Sequence, residues 1–188
     1  MSRPPEQQGD PRQGAVLLLL FPRQHELRFV LTRRRDDLAA HAGQISLPGG
    51  RREDGESLQE TALREANEEI GIDRNAVAIL GRLAPLYILP SDFEVFPFVG
   101  WHEEPPAFVP QLSEVAEIIE VPLADLLDKK SRGEEVWRRR GITMNVPFFQ
   151  VGAHKVWGAT AMMLSEFAER LYAQSDGNLA TFGGAALE

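Results

Sequence analysis

The sequence of 188 residues predicts an α/β domain, on three observations. Short apolar runs of β-forming composition recur along the chain, a capped amphipathic helix stands near its middle, and a second helical stripe lies near its end. Strands and helices mixed in this way pack as helices against a sheet.

Residues 1–14 are polar and rich in Pro and Gln, which reads as a flexible N-terminal arm. Residues 15–21 and 27–31 read as strands joined by a polar turn at 22–26. Ser57 with Glu60 makes a capping box, and Gly71 is suited to end a helix, so the spacing predicts a helix over Leu58–Ile70. Residues 76–89 and 93–101 suggest further strands, with Pro90 and Pro97 favouring edges or irregularities. A strand at 115–121 leads to a short helix beginning near Pro122. Residues 144–151 and 154–156 resemble a hairpin across Gly152 and Ala153. The last helix spans 160–173, with Ala161, Leu164, Ala168 and Leu171 as its apolar stripe. Residues 175–188 read as a loose tail, which leaves 15–174 as one domain without linker or internal repeat.

Composition excludes several function classes. A formal charge of -8 argues against general nucleic-acid binding, which needs a basic surface. It leaves a small anionic substrate open, because a bound metal reverses the local field. The absence of cysteine removes disulfides, zinc-thiolate sites and thiol nucleophiles. The polar N-terminus does not resemble a signal peptide, and the apolar run at 15–21 is too short to span a bilayer. A cytoplasmic location without a membrane partner is therefore the expectation. Oligomeric state has no signature in the sequence.

Glutamates on the first helix carry the chemistry. At roughly 100° per residue, Leu58, Ala62, Ala66 and Ile70 form an apolar arc that should face the core. Glu69 lies about 20° from Leu58 around the helix and Glu65 about 20° to the other side, with Glu68 at the margin. Helical glutamates usually form a solvated face. Here Glu65 and Glu69 are turned inward, and buried carboxylates are costly unless something positive neutralises them. Arg64, the nearest cation on the helix, points elsewhere by the same geometry. A divalent metal is the simplest remedy, since hard cations such as magnesium take carboxylate oxygens.

The segment resembles the Nudix box, G-x5-E-x7-R-E-U-x-E-E-x-G-U, with U a bulky aliphatic residue. Gly50, Glu56, Arg64, Glu65, Glu68, Glu69, Gly71 and Ile72 stand at the required offsets, and Ala66 is the one departure, at the first U position. The resemblance implies an α/β/α sandwich with a mixed β-sheet, in which the box forms a loop, helix and loop. It implies a hydrolase of a diphosphate joined to another group, using Mg2+ or Mn2+. Carried over by position, Glu65 and Glu69 would be the main metal ligands, assisted by Glu68 and the backbone carbonyl of Gly49. Arg64 would orient a catalytic carboxylate by ion pairing, and Glu56 would contact the residues around the metal ligands or an outer metal. Glu114 is a candidate for an additional carboxylate outside the box, serving as base or ligand.

Residues 31–50, LTRRRDDLAAHAGQISLPGG, resemble the coenzyme A pyrophosphatase branch of that family, roughly L-T-x-R-S-x-x-L-R-x-H-x-G-Q-V-x-F-P-G-G. Leu31, Thr32, Arg34, Leu38, His41, Gly43, Gln44, Pro48, Gly49 and Gly50 match, while Arg35 replaces a serine, Ala39 an arginine, Ile45 a valine and Leu47 a phenylalanine. Ala39 matters most, because it deletes a positive group expected to meet the substrate. The resemblance makes Arg34, His41 and Gln44 substrate-binding candidates, with Arg34 suited to phosphate by its guanidinium fork. The bland alternatives are a structural hydrogen-bonding His41 and a solvated arginine run.

The preferred reading is a metal-dependent coenzyme A diphosphatase giving adenosine 3',5'-bisphosphate and 4'-phosphopantetheine, or its acyl form. A Nudix hydrolase of another small nucleoside diphosphate derivative or nucleotide, such as ADP-ribose, NADH or a nucleoside triphosphate, is the second reading. A non-catalytic Nudix domain is the third, and the retention of every box glutamate argues against it.

Overall fold

The computed structural model describes residues 10–38, 41–139 and 142–174. The position of Ala39, most of the expected N-terminal arm and the expected tail lie outside the described residues. β1 (Arg12–Arg23) and β2 (Glu26–Arg34) form a hairpin through Gln24 and His25, both at positive φ. Residues 15–21 of β1 are buried except for the partly buried Val16. Such a run fits a strand with both faces covered. β1 already includes Arg12 to Gly14, so the expected arm is shorter than residues 1–14: these three residues pair with Phe93 to Val95.

β3 (Ile45–Ser46) and β4 (Gly49–Arg51) sit in a gap where β1 and β2 diverge. Along one edge β1 pairs with β2 at Leu20 to Arg23 and with β4 at Gly14 to Val16. β2 likewise pairs with β1 near its start and with β3 at Thr32 and Arg33. Residues 45–51 thus form a wedge between the two strands, fastened by the Leu17 N–H donating to the Pro48 carbonyl at 2.8 Å.

Helix α1 (Leu58–Ile70) has the boundaries its capping box dictates. Ser57 accepts from the Glu60 N–H, the Glu60 carboxylate accepts from the Ser57 N–H, and Gly71 ends the helix in the left-handed region at φ 72°. Beyond it come β5 (Val77–Arg82), β6 (Leu86–Ile88) and β7 (Phe93–His102). The region read as one strand at 76–89 is therefore two strands. β7 runs parallel to β1, while the remaining pairs in the large sheet are antiparallel, so the sheet is mixed. Pro97 lies inside β7, opposite the break between β5 and β6, where the Leu83 N–H reaches the Pro97 carbonyl. A residue without an N–H is tolerated at such an irregularity.

β8 (Val115–Pro122) covers the outer edge of β2 and leads into α2 (Leu123–Leu127). A second, three-stranded sheet holds β9 (Arg132–Arg139), β10 (Ile142–Val151) and β11 (His154–Trp157), followed by α3 (Gly158–Gln174). The β10–β11 hairpin follows the expected turn at Gly152, whereas β9 carries no alternation that marked it in the sequence. One core joins α1 to Ala15, Leu17, Leu19 and Phe21. The other joins α2, α3 and the small sheet to Leu18, Leu20, Phe29 and Leu31. Opposite faces of β1 thus feed two cores, and the fold is an α/β/α sandwich around a mixed sheet. Among the described residues no helix is long and apolar enough to cross a membrane.

Candidate active site

The wedge and α1 meet at the box carboxylates. Gly50 shares the α1-facing side of its strand with Ala15, and a Cβ placed on it would lie 2.5 Å from the Glu65 carboxylate. A Cβ on Gly49 would run into the Ala15 carbonyl oxygen and Val16. Only paired glycines bring the backbone this close to the helix. The Gly49 N–H donates to Glu69 Oε2 at 3.2 Å.

Both carboxylates resist ionisation. Burial pushes Glu69 up to about 7, helped by the charges of Glu65 and Glu114 and opposed by the Gly49 N–H and Arg34. Burial also raises Glu65, with Arg64 opposing and Glu68 and Glu114 reinforcing. The Glu65 side chain is 18% exposed and that of Glu68 54%, which places Glu68 at the solvent margin of the site.

The expectation that Arg64 points away from the carboxylates is corrected here. Arg64 Nη1 lies 3.1 Å from Glu65 Oε1 and 3.2 Å from Glu68 Oε2. Its Nε donates to Glu56 Oε1 at 2.6 Å, and its Nη2 reaches the Arg51 carbonyl at 3.1 Å. The angular position of a Cα does not fix a guanidinium on a long flexible stem. Arg64 in turn holds Glu56 down at about 2, with the Glu53 N–H and the Thr61 hydroxyl assisting against burial. Glu56 raises Arg64 in return.

Upstream residues are arranged differently. Arg34 pairs with Glu114 at 3.1 Å, and both influence Glu69 electrostatically, so they stand at the same site. Arg33 pairs with Asp36 and Glu117, while Arg35 pairs with Asp37 and donates to the Leu112 carbonyl. His41, at φ 59°, bonds Gln44 Oε1 through Nδ1 at 2.8 Å on an exposed turn, and neither bonds a box carboxylate among the described residues.

Two contributors carried no functional expectation. Thr61 is buried one turn before Glu65 and bonds Glu56 Oε2 at 3.0 Å; a β-branched residue at that helical offset was the available signal. Residues 103–114 cap the far end of α1, with the Val109 N–H on the Ile70 carbonyl and the Gln111 N–H on the Glu69 carbonyl. These bonds use only backbone atoms, so no side-chain motif announces them.

The donor set suits a hard divalent cation: two partly buried carboxylates, each with its ionised form disfavoured, beside glycines that admit close approach. Among the described residues no three His, Asp or Glu side chains converge on one point. Arg64 meanwhile draws Glu65 and Glu68 toward itself.

The NUDIX domain family model matches residues 11–142. A Photorhabdus laumondii protein named as an uncharacterized Nudix hydrolase, NudL, is 36% identical over 169 residues, covering 89% of this chain and 90% of its own. Among solved structures, a Nudix hydrolase from M. smegmatis, RenU, is similar with a TM-score of 0.58 and 18% identity over 89% of this chain and 88% of that one. The NUDIX domain of Shewanella oneidensis NrtR, solved in complex with ADP ribose, is similar with a TM-score of 0.50 and 20% identity over 66% of this chain and 81% of that one.

Proposed function

The chain belongs to the Nudix hydrolase family, and on that premise we propose that it is a metal-dependent diphosphatase of coenzyme A and its acyl derivatives. The observation that carries the catalytic part is the pair of partly buried carboxylates, Glu65 and Glu69, facing the Gly49–Gly50 backbone. Nudix hydrolases generally use divalent ions such as Mg2+ or Mn2+. When bound, such an ion neutralises the diphosphate and makes a water a better nucleophile at neutral pH.

The chain's own residues then have distinct tasks. Glu65 and Glu69 hold the ion, with Glu68 and the Gly49 carbonyl assisting. Arg64 fixes Glu65 from one side and is itself fixed by Glu56, so the charged pair acts as a brace. Arg34 stands beside Glu114 near Glu69, where exchanging a carboxylate for a phosphate oxygen keeps its charge paired. Glu114 serves as the additional acidic group, as base or ligand. His41 and Gln44 present a turn for the adenosine or pantetheine part of the substrate. Small nucleotide derivatives are the ligands, and the site works in the cytoplasm.

The coenzyme A assignment rests on the motif at 31–50. A substrate panel with Mg2+ and Mn2+, its products separated by chromatography, tests it. Coenzyme A should yield adenosine 3',5'-bisphosphate and 4'-phosphopantetheine at the highest kcat/KM. Preference for ADP-ribose, NADH or a nucleoside triphosphate would move the assignment to another Nudix substrate, and no turnover of any would favour a binding domain.

A further inference from the structure

β9 ends the small sheet, whose order is β11-β10-β9, and all eight of its residues pair in register with β10. Among the described residues no strand covers its other edge. The large sheet's terminal strand β5 differs, since its ladder is broken by a register shift between Ile79 and Gly81. Breaks of that kind protect an edge from pairing with another chain, and β9 has none.

Glu134, Val136 and Arg138 alternate onto one face of β9, and all three are exposed. Val136 is 63% exposed although apolar. Arg138 has no ion pair among the described residues, and Glu134 only accepts from Asn145 at 3.4 Å. Charges on an edge ordinarily discourage association. Their order here is self-complementary, with an acid and a base placed symmetrically about Val136.

We propose that β9 pairs antiparallel with β9 of a second copy of this chain, about a twofold axis through Val136. Opposite residues in an antiparallel pair point to the same face, so this register sets Glu134 against Arg138 of the second copy, and Arg138 against its Glu134. Val136 meets its own counterpart on the axis and leaves water. An axis through the neighbouring residue, Trp137, would instead oppose Val136 to Arg138 and set Arg139 against Glu135, which is already paired with Lys155. The contact is isologous and closes on itself. It is also small, so the dimer forms reversibly with concentration.

Sedimentation velocity on the full chain, from about 1 to about 200 µM, should show a monomer–dimer equilibrium. Arg138→Glu and Glu134→Arg each place like charges opposite one another twice, and each should weaken the dimer by about tenfold or more. The double variant exchanges the two charges and should recover wild-type association, which also controls for misfolding. The chain has no cysteine, so in Val136→Cys the introduced thiol is the only one present. Paired residues lie at a spacing a disulfide can bridge, and mild oxidation should link two copies. Leu80→Cys, on β5 with a matched exposure of 62%, should link far more slowly. A wild-type chain that stays monomeric throughout, single reversals that leave the dimer intact, or a double variant that does not recover would each overturn the proposal.

Discussion

Glu65 and Glu69 sit between α1 and a glycine wedge with too little positive charge to offset them, whereas upstream Arg33, Arg34 and Arg35 each meet an acidic partner near the surface. The first arrangement is unbalanced, and burial magnifies the imbalance. The second is balanced and solvated, where an ion pair contributes roughly 0–1 kcal/mol. The helix face therefore reads as a site in its own right, while the arginine cluster must release an acid to hold anything. Several substitutions can break or sharpen this contrast.

The largest effect should come from the unbalanced pair. Glu69→Gln keeps the shape but removes a charge, and turnover should fall at least about a hundredfold, the scale of a major electrostatic contribution. Glu65→Gln should behave similarly. Steady-state rates on folded protein decide it, and near-normal turnover would reduce these glutamates to ordinary surface charges.

Next comes the brace. Glu56 is held at about 2, below the usual carboxylate value of 4.5, so the sign is that of a depressed acid. Its contribution is present above about pH 4.5 and disappears as pH falls through about 2. Glu56→Gln should lower Tm at neutral pH and converge with wild type near the acid end. A constant offset at every pH would mean that the ion pair with Arg64 is not the source.

The two wedge glycines should separate fold from chemistry. Gly50→Ala meets first the movable end of Glu65, so Tm should change little while turnover drops about tenfold, the lower range for a mispositioned catalytic group. Gly49→Ala collides with the β1 backbone and should lower Tm first. Thermal melts beside kinetics distinguish them, and equal behaviour of both variants would contradict the geometry.

The smallest effects belong to Arg33 and Arg35. Replacing either by alanine should leave stability nearly unchanged and alter turnover by about threefold or less. A larger loss confined to coenzyme A, with 3'-dephospho-coenzyme A unaffected, would show that one of these arginines reads the 3'-phosphate.

The same contrast governs what was legible in the sequence. α1 could be bounded at both ends because caps and periodicity are local, and the inward turn of Glu65 and Glu69 follows from helix geometry alone. The reach of Arg64 could not be read, because its guanidinium answers to Glu56 across the preceding loop. β9 and the split between β5 and β6 were missed because pairing partners, rather than alternation, define them. The wedge at 45–51 was visible only as glycines; its seat between β1 and β2 depends on strands that diverge in space.

Isothermal titration of Mn2+ into wild type and into the Glu65→Gln, Glu69→Gln double variant, at about pH 8, tests the unbalanced pair most directly. At that pH Glu69 lies above its value of about 7, so the proton does not compete strongly with the ion. Wild type should bind Mn2+ at least about a hundredfold more tightly than the double variant, the scale of losing major charged ligands. Equal affinity in the two proteins would contradict the assignment of these carboxylates as the metal site.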